Sequence, residues 1–222
     1  MDIAADVHAI HLVGVRAHAI LESEVTLIDA GFAGSRGRIE RGLVRHGRAL
    51  ADLRRIVCTH GHPDHAGGVR ELEAAGVEVC MHPADVERLQ LGLRDALRSP
   101  ARGRLLAAIT RPPTAVHLVE DGDLLPVLGG LRVVHTPGHT PGSICLYGHR
   151  DRLLFTGDVL QRRRGGSVVF ASPVFSDDHA AARASIRRLA ALDVATIVFS
   201  HYPPLRDGAN ETLAHLARQI GA

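Results

Sequence analysis

The sequence predicts an α+β protein in which two β-sheets pack face to face with helices on the outside. Three observations point there. Short β-branched runs and helical stretches follow one another through both halves of the 222 residues. No Pro/Gly-rich linker separates the halves, so residues 1–222 read as a single domain. The apolar share, 45% against 23% charged, belongs to a globular chain that can bury a core without disulfide help.

The first half opens with three β-branched runs, residues 7–13, 17–21 and 25–29, joined by tight turns. Gly31-Phe32-Ala33-Gly34 then breaks the pattern. Residues 36–53 read as a helix, because Ile39, Leu43, Leu50 and Leu53 fall roughly on one stripe. Ile56-Val57-Cys58-Thr59 is a short buried strand. Residues 66–75 read as a helix ended by Gly76, and 77–81 as another strand. The stretch 83–110 is mostly helical and is stopped by Pro112-Pro113. In the second half, 116–119, 131–135, 144–147 and 153–156 read as strands. Residues 180–192 form a strong amphipathic helix with Ser176 and two aspartates at its start, as the helix dipole prefers. A last strand, 196–199, and a closing helix, 211–220, complete the order. Two packed sheets with outer helices satisfy it.

Composition excludes several functions. A net charge of +2, from 26 basic and 24 acidic residues, is too small to imply nucleic acid or membrane. All the basic residues are arginine. Aromatics make up 3% and Trp is absent, which leaves little for stacking nucleobases. No leader-like start and no apolar run of spanning length is seen, so no membrane partner is expected. Cys58, Cys80 and Cys145 show no CxxC spacing and read as buried reduced thiols, which suits a cytoplasmic location.

Histidine is the unusual residue, 15 in 222. Thr59-His60-Gly61-His62-Pro63-Asp64-His65 follows an apolar strand and precedes a helix. In an extended segment His60 and His62 point to one side. Asp64 and His65 sit where the chain enters the helix, so they can face a point just beyond. One loop can thus serve two adjacent cations, and imidazole with carboxylate suits zinc. The plainer alternative is a polar turn with Asp64 as helix cap and solvated histidines. Three later residues argue against it. His139, Asp158 and His201 each follow a predicted strand, on loops, where scaffolds present functional groups.

Leu27-Ile28-Asp29-Ala30-Gly31, the histidine-rich heptad, Thr136-Pro137-Gly138-His139-Thr140-Pro141-Gly142-Ser143, Thr156-Gly157-Asp158 and Ser200-His201 occur in this order along nearly the whole chain. In them the sequence resembles the metallo-β-lactamase superfamily, and within it the glyoxalase II-like hydrolases. The resemblance implies an αββα four-layer sandwich with two divalent metal ions at one edge. Zinc is the expected metal, with iron and manganese as alternatives. It implies that His60, His62 and His139 bind the first ion, that Asp64, His65 and His201 bind the second, and that Asp158 bridges both. A water or hydroxide between the ions would be the nucleophile, with Asp64 as the catalytic proton carrier. His62, where flavodiiron relatives carry Glu, speaks against redox chemistry. Asp158, where zinc β-lactamases carry Cys or another non-bridging residue, favours a thioesterase, lactonase or phosphoesterase-like site.

The expected activity is hydrolysis of a small-molecule acyl bond, in a thioester or lactone. Two alternatives stand beside it: a mononuclear iron persulfide dioxygenase, and a non-catalytic binding module on the same fold. Asp29 is expected to orient a metal ligand. Thr59 is expected to orient its own loop, and Thr140 and Ser143 to hold the loop of His139. Arg162, Arg163 and Arg164 could meet an anionic substrate group, and Tyr202 could hydrogen-bond substrate. His82, at a strand-to-helix junction, His135 and His179 are expected to serve local structure, and His8, His11, His18, His46, His117, His149 and His215 show no ligand spacing and are expected at the surface or half-buried. Two departures from the family pattern lie near the expected substrate side: Tyr202-Pro203-Pro204 after the last histidine, where many relatives have Gly, and Arg16-Ala17-His18, where an Asn-x-Tyr is common.

Overall fold

The structure is a computed structural model and describes residues 1–73, 76–90, 110–163 and 165–220. One sheet has seven strands in sequence order: β1 (Asp2–Ala4), β2 (Val7–His11), β3 (Arg16–Leu21), β4 (Val25–Ile28), β5 (Leu53–Val57), β6 (Glu78–Met81) and β7 (His117–Leu118). Strands β1 to β4 form an antiparallel meander, and β4 to β7 run parallel. Parallel neighbours need crossovers. These are α1 (Arg36–Val44) before β5, and α2 (Pro63–Ala66) with α3 (Val69–Glu73) before β6; α4 (Pro83–Gln90) follows β6.

The second sheet runs β14-β11-β10-β9-β8, with β8 (Leu124–Leu125), β9 (Leu131–His135), β10 (Ile144–Gly148), β11 (Leu153–Phe155) and β14 (Thr196–Val198). Helix α5 (His179–Leu189) precedes β14, and α6 (Ala209–Arg218) follows it. A separate hairpin pairs β12 (Leu160–Arg162) with β13 (Val168–Phe170).

The period-two alternation of strands separates three apolar layers. Leu27, Ile56 and Cys58 face Ile39, Leu43 and Leu72 of the helices over the first sheet. Ile28, Val57, Val133, Leu146 and Phe155 meet between the sheets. Val134, Cys145, Leu154 and Ile197 pack on Ile186, Leu189 and Leu213 outside the second sheet. The result is the expected αββα sandwich. Every strand with a buried face on both sides reads as a near-continuous apolar run.

Several elements differ from expectation. The helix expected over 36–53 ends at Val44; Gly47, at φ 71°, turns the chain, a 3₁₀ turn spans Leu50–Asp52, and β5 begins at Leu53. The helix expected over 66–75 is two short helices broken at Gly67-Gly68, where any Cβ would overlap the backbone carbonyls of Pro63 and Ala30. Strands β1, β8, β12 and β13 carry too short a pattern to be seen in sequence. The helical expectation over residues 91–109, and the positions of Ala74, Ala75 and Arg164, lie outside the described residues. Among the described residues no helix is long and apolar enough to cross a membrane. Cys58, Cys80 and Cys145 are buried free thiols.

Candidate metal centre

The carboxyl ends of β5 and β11, and the loops after β9 and β14, converge at one edge of the sandwich. Strand β5 runs into His60 and His62, and Pro63, fixed for the first helical turn, starts α2 so that Asp64 and His65 follow at once. His139 lies on the loop between β9 and β10, Asp158 after β11, and His201 after β14. All seven residues expected to bind metal come together in two adjacent groups: His60, His62 and His139, and Asp64, His65, Asp158 and His201. The rings of His60 and His65 stand 4.0 Å apart, centre to centre.

The first group is a triangle of ring nitrogens. His60 Nε2 and His62 Nδ1 are 3.1 Å apart, His139 Nε2 lies 3.2 Å from the first, and 3.0 Å from the second. Three converging imidazole nitrogens cannot satisfy one another with hydrogen bonds, because a neutral ring offers one N–H and one lone pair. Tetrahedral zinc with Zn–N of about 2.0–2.1 Å calls for nitrogens roughly 3.3 Å apart, close to this triangle. Burial holds all three rings below the usual histidine pKa, with the neighbouring rings adding to the effect on His60 and His62. They are therefore neutral, with lone pairs free for a cation.

The second group mixes signs. His201 Nε2 lies 3.1 Å from Asp158 Oδ1 and 3.3 Å from Asp64 Oδ2. His65 Nε2 lies 3.5 and 3.6 Å from the same two oxygens. Burial disfavours charge on both rings. The carboxylates outweigh it, lifting His201 to about 10 and His65 well above its ordinary value. Asp158 faces both groups, since its Oδ2 lies 3.7 Å from His139 Nε2. Its Oδ1 is buried without a well-aligned hydrogen bond among the described residues. Donor chemistry, spacing and this unsatisfied oxygen all fit a pair of divalent cations.

Neighbouring groups set the ring orientations. Asp29 is fully buried, at φ 62°, a region Asp tolerates better than most residues. It accepts from His65 Nδ1 at 2.7 Å and from the Thr59 amide at 2.8 Å. That leaves His65 Nε2 pointing inward. Thr59 Oγ1 also donates to Asp29, at 3.0 Å. His201 Nδ1 donates to the Gly14 carbonyl at 2.8 Å, which turns its Nε2 inward as well. Thr140 and Ser143 hold the His139 loop, the Thr140 amide donating to Ser143 Oγ at 2.9 Å. His82 caps locally, accepting from the Ala84 amide at 3.3 Å, and stacks on His135.

Sequence reasoning missed Asp85 and Arg88 of α4. Asp85 is fully buried and accepts from the Gly61 amide at 2.6 Å, Thr140 Oγ1 at 2.7 Å and the Gly142 amide at 2.8 Å. It ties the His60–His65 loop to the His139 loop. Arg88 is buried against Asp177, 3.1 Å away, and 3.4 Å from His62 Nε2. Both sit on an ordinary amphipathic helix, and the only sequence signal would have been charge on its buried stripe. His18, expected to be at most half-buried, is fully enclosed in the core beside Phe155.

A cavity of about 270 Å³ opens over the centre, lined by His62, Asp64, His139, Asp158 and His201 together with Gln161, Phe175 and Tyr202.

Comparison with known proteins agrees with this geometry. Residues 14–201 match the family profile described as the metallo-beta-lactamase superfamily. The chain is 30% identical over 221 residues to the probable metallo-hydrolase YflN of Bacillus subtilis, covering 88% of this chain and 82% of that one. It is 36% identical over 117 residues to the acyl-coenzyme A thioesterase MBLAC2 of Gallus gallus, covering 47% and 40%. It is 34% identical over 150 residues to a hydroxyacylglutathione hydrolase of Cereibacter sphaeroides, covering 67% and 48%. The chain thus spans about half the length, or less, of the last two relatives. In fold it is similar to a metallo-beta-lactamase family protein, TTHA1429, of Thermus thermophilus, with a TM-score of 0.78 at 22% identity over 99% of this chain and 81% of that one.

Proposed function

Since the chain belongs to the metallo-β-lactamase superfamily, we propose that it is a metal-dependent hydrolase cleaving a small-molecule acyl bond, a thioester first and a lactone second, at a pair of zinc ions. The observation that carries this reading is Asp158, whose two oxygens face the two ligand groups separately. Relatives named as acyl-coenzyme A thioesterase and hydroxyacylglutathione hydrolase are the reason thioesters come first.

His60, His62 and His139 would hold one ion, Asp64, His65 and His201 the other, and Asp158 both. When bound, such a pair supplies a hydroxide nucleophile at neutral pH and draws electron density from the substrate carbonyl. Asp29 keeps a proton on Nδ1 of His65, and the Gly14 carbonyl does the same for His201, so both rings present Nε2 lone pairs. Asp64, on the cavity wall, is the group positioned to take up a proton and pass it to the departing thiolate or alkoxide. Tyr202 and Gln161 line the same cavity and are positioned to hydrogen-bond the substrate. Three buried free thiols fit a reducing compartment such as the cytoplasm.

The test is elemental analysis joined to a panel of thioesters, lactones, β-lactams and phosphodiesters. The purified protein should hold about two metal equivalents. His62→Ala should abolish turnover with the circular dichroism spectrum retained. Full activity after exhaustive chelation refutes the proposal. A single iron, with oxygen uptake on a persulfide, would transfer the chain to the dioxygenase class.

A further inference from the structure

A second cavity, of about 700 Å³, lies beside the metal centre and shares Gln161 and Tyr202 with the smaller cavity over it. That volume is within the usual range for a small-molecule site, roughly 300–1,000 Å³. Arg162, Arg163 and Arg183 line it together with His179, and among the described residues no aspartate or glutamate does. The guanidiniums come from two elements, the β12–β13 hairpin and α5. Two of them are held in place without being neutralised. Arg162 Nη1 donates to the Pro203 carbonyl at 3.2 Å. Arg183 Nη2 donates to the Gln219 carbonyl at 2.8 Å, and its head lies 4.6 Å above the Phe170 ring. Among the described residues none of the three forms an ion pair, whereas Arg55, Arg88, Arg150, Arg152 and Arg188 each face a carboxylate.

We propose that this cavity binds a phosphate at the far end of the thiol portion of the substrate, so that the enzyme selects phosphorylated thioesters. The proposal rests on the hydrolase reading and specifies its substrate. Three unpaired guanidinium forks match a phosphomonoester, which carries a charge of about −1.5 to −2 and three acceptor oxygens near neutral pH. Gln161 and Tyr202 connect the cavities, so a substrate with its carbonyl over the metal centre reaches the arginines by extending past these two side chains. Beside the apolar Val169, Phe170, Ala171 and Pro173, the walls carry guanidinium, imidazole and amide groups, which suit an amphipathic thiol portion ending in an anion. A different basic cavity, lined by Arg38, Arg41 and Arg45, has no lining residue in common with the metal centre and serves as a control.

The experiment compares S-acetyl phosphopantetheine with S-acetyl pantetheine, which differ only in the phosphate. The phosphorylated ester should show a KM about tenfold lower, the scale of one or two charge-assisted hydrogen bonds, with kcat little changed. Arg163→Glu and Arg183→Glu should bring the KM ratio toward one, and Arg41→Glu should leave it as in the parent. Equal KM values in the parent protein overturn the proposal, as does a ratio that survives both cavity variants or is lost in Arg41→Glu. If neither ester is turned over, the thioesterase part of the hydrolase reading fails, and calorimetric titration of the metal-loaded protein with phosphopantetheine and pantetheine decides the subsite by itself. Tighter binding of the phosphorylated thiol that Arg163→Glu removes supports it; equal binding overturns it.

Discussion

Asp85 never faces the cavity, yet it holds both loops that carry the three-histidine group. Its buried carboxylate accepts from Gly61, Thr140 and Gly142, and those bonds oppose the upward push of burial on its pKa. Asp85→Ala leaves the buried Gly61 and Gly142 amides without an acceptor, at about 1–3 kcal/mol for each group that water cannot reach. We expect a clear fall in melting temperature and weaker metal retention, with Asp85→Asn milder. Unchanged melting and metal content in Asp85→Ala would remove its positioning role. His18 governs a pH response at the same scale. Burial lowers its pKa to about 4, with Asp29 partly offsetting, whereas the unfolded chain titrates near 6.5. Between those values the unfolded state binds the extra proton, so stability rises with pH through this window and is lost as pH falls through it. The full contribution is roughly 3 kcal/mol at 1.36 kcal/mol per unit. His18→Leu should flatten the melting temperature between pH 4.5 and 6.5; an equally steep profile would assign the response to other groups.

Loops rather than strands set the ligand positions at the scale of elements, and glycine is what permits two of the close approaches. Gly138 has φ 133°, and a Cβ there would overlap the Ala182 backbone nitrogen at the start of α5. Asp178 caps that helix, accepting from the Ala181 amide at 2.9 Å, and its own amide donates to the Gly138 carbonyl at 2.9 Å. Helix α5 is thereby docked on the His139 loop. Gly138→Ala should destabilise the fold by about 2 kcal/mol or more, from backbone strain and the overlap together. It should also loosen His139, seen as weaker zinc retention; a variant with parent-like melting and zinc content would show that the loop can relax. The same loops explain which elements were legible. Strands β4, β9, β10 and β11 are mostly apolar runs and stand within a residue of expectation, whereas β5 begins at Leu53, three residues before the strand expected from Ile56, because Arg54 and Arg55 interrupt its apolar pattern. The break at Gly67-Gly68 is a packing event, since those glycines admit the carbonyls of Pro63 and Ala30, and local helical periodicity carries no trace of it.

At the scale of the whole molecule, the two sheets contribute to one centre. His60, His62, Asp64 and His65 follow the first sheet, and His139, Asp158 and His201 follow the second. A cation bound across them stabilises the folded chain alone, by about 4 kcal/mol when free metal exceeds its dissociation constant a thousandfold. Chelation should therefore lower the melting temperature by several degrees, and zinc should restore it. Asp158→Asn should weaken both ions, whereas His62→Ala should weaken mainly one. Identical melting of the chelated and zinc-loaded protein would mean that metal does not join the halves.

The sequence by itself marked the seven candidate ligands, the order of the main strands and the layering. Ligand chemistry demands particular side chains at particular spacings, and burial on alternate faces writes itself as period two. Only the tertiary structure decided what surrounds those ligands: Asp85 tying two loops, Arg88 beside His62, His18 sealed in the core, and arginines from β12 and α5 gathered at one cavity. Each of these depends on segments distant in sequence meeting in space, and a single buried charge or surface arginine has no local pattern to announce its partner.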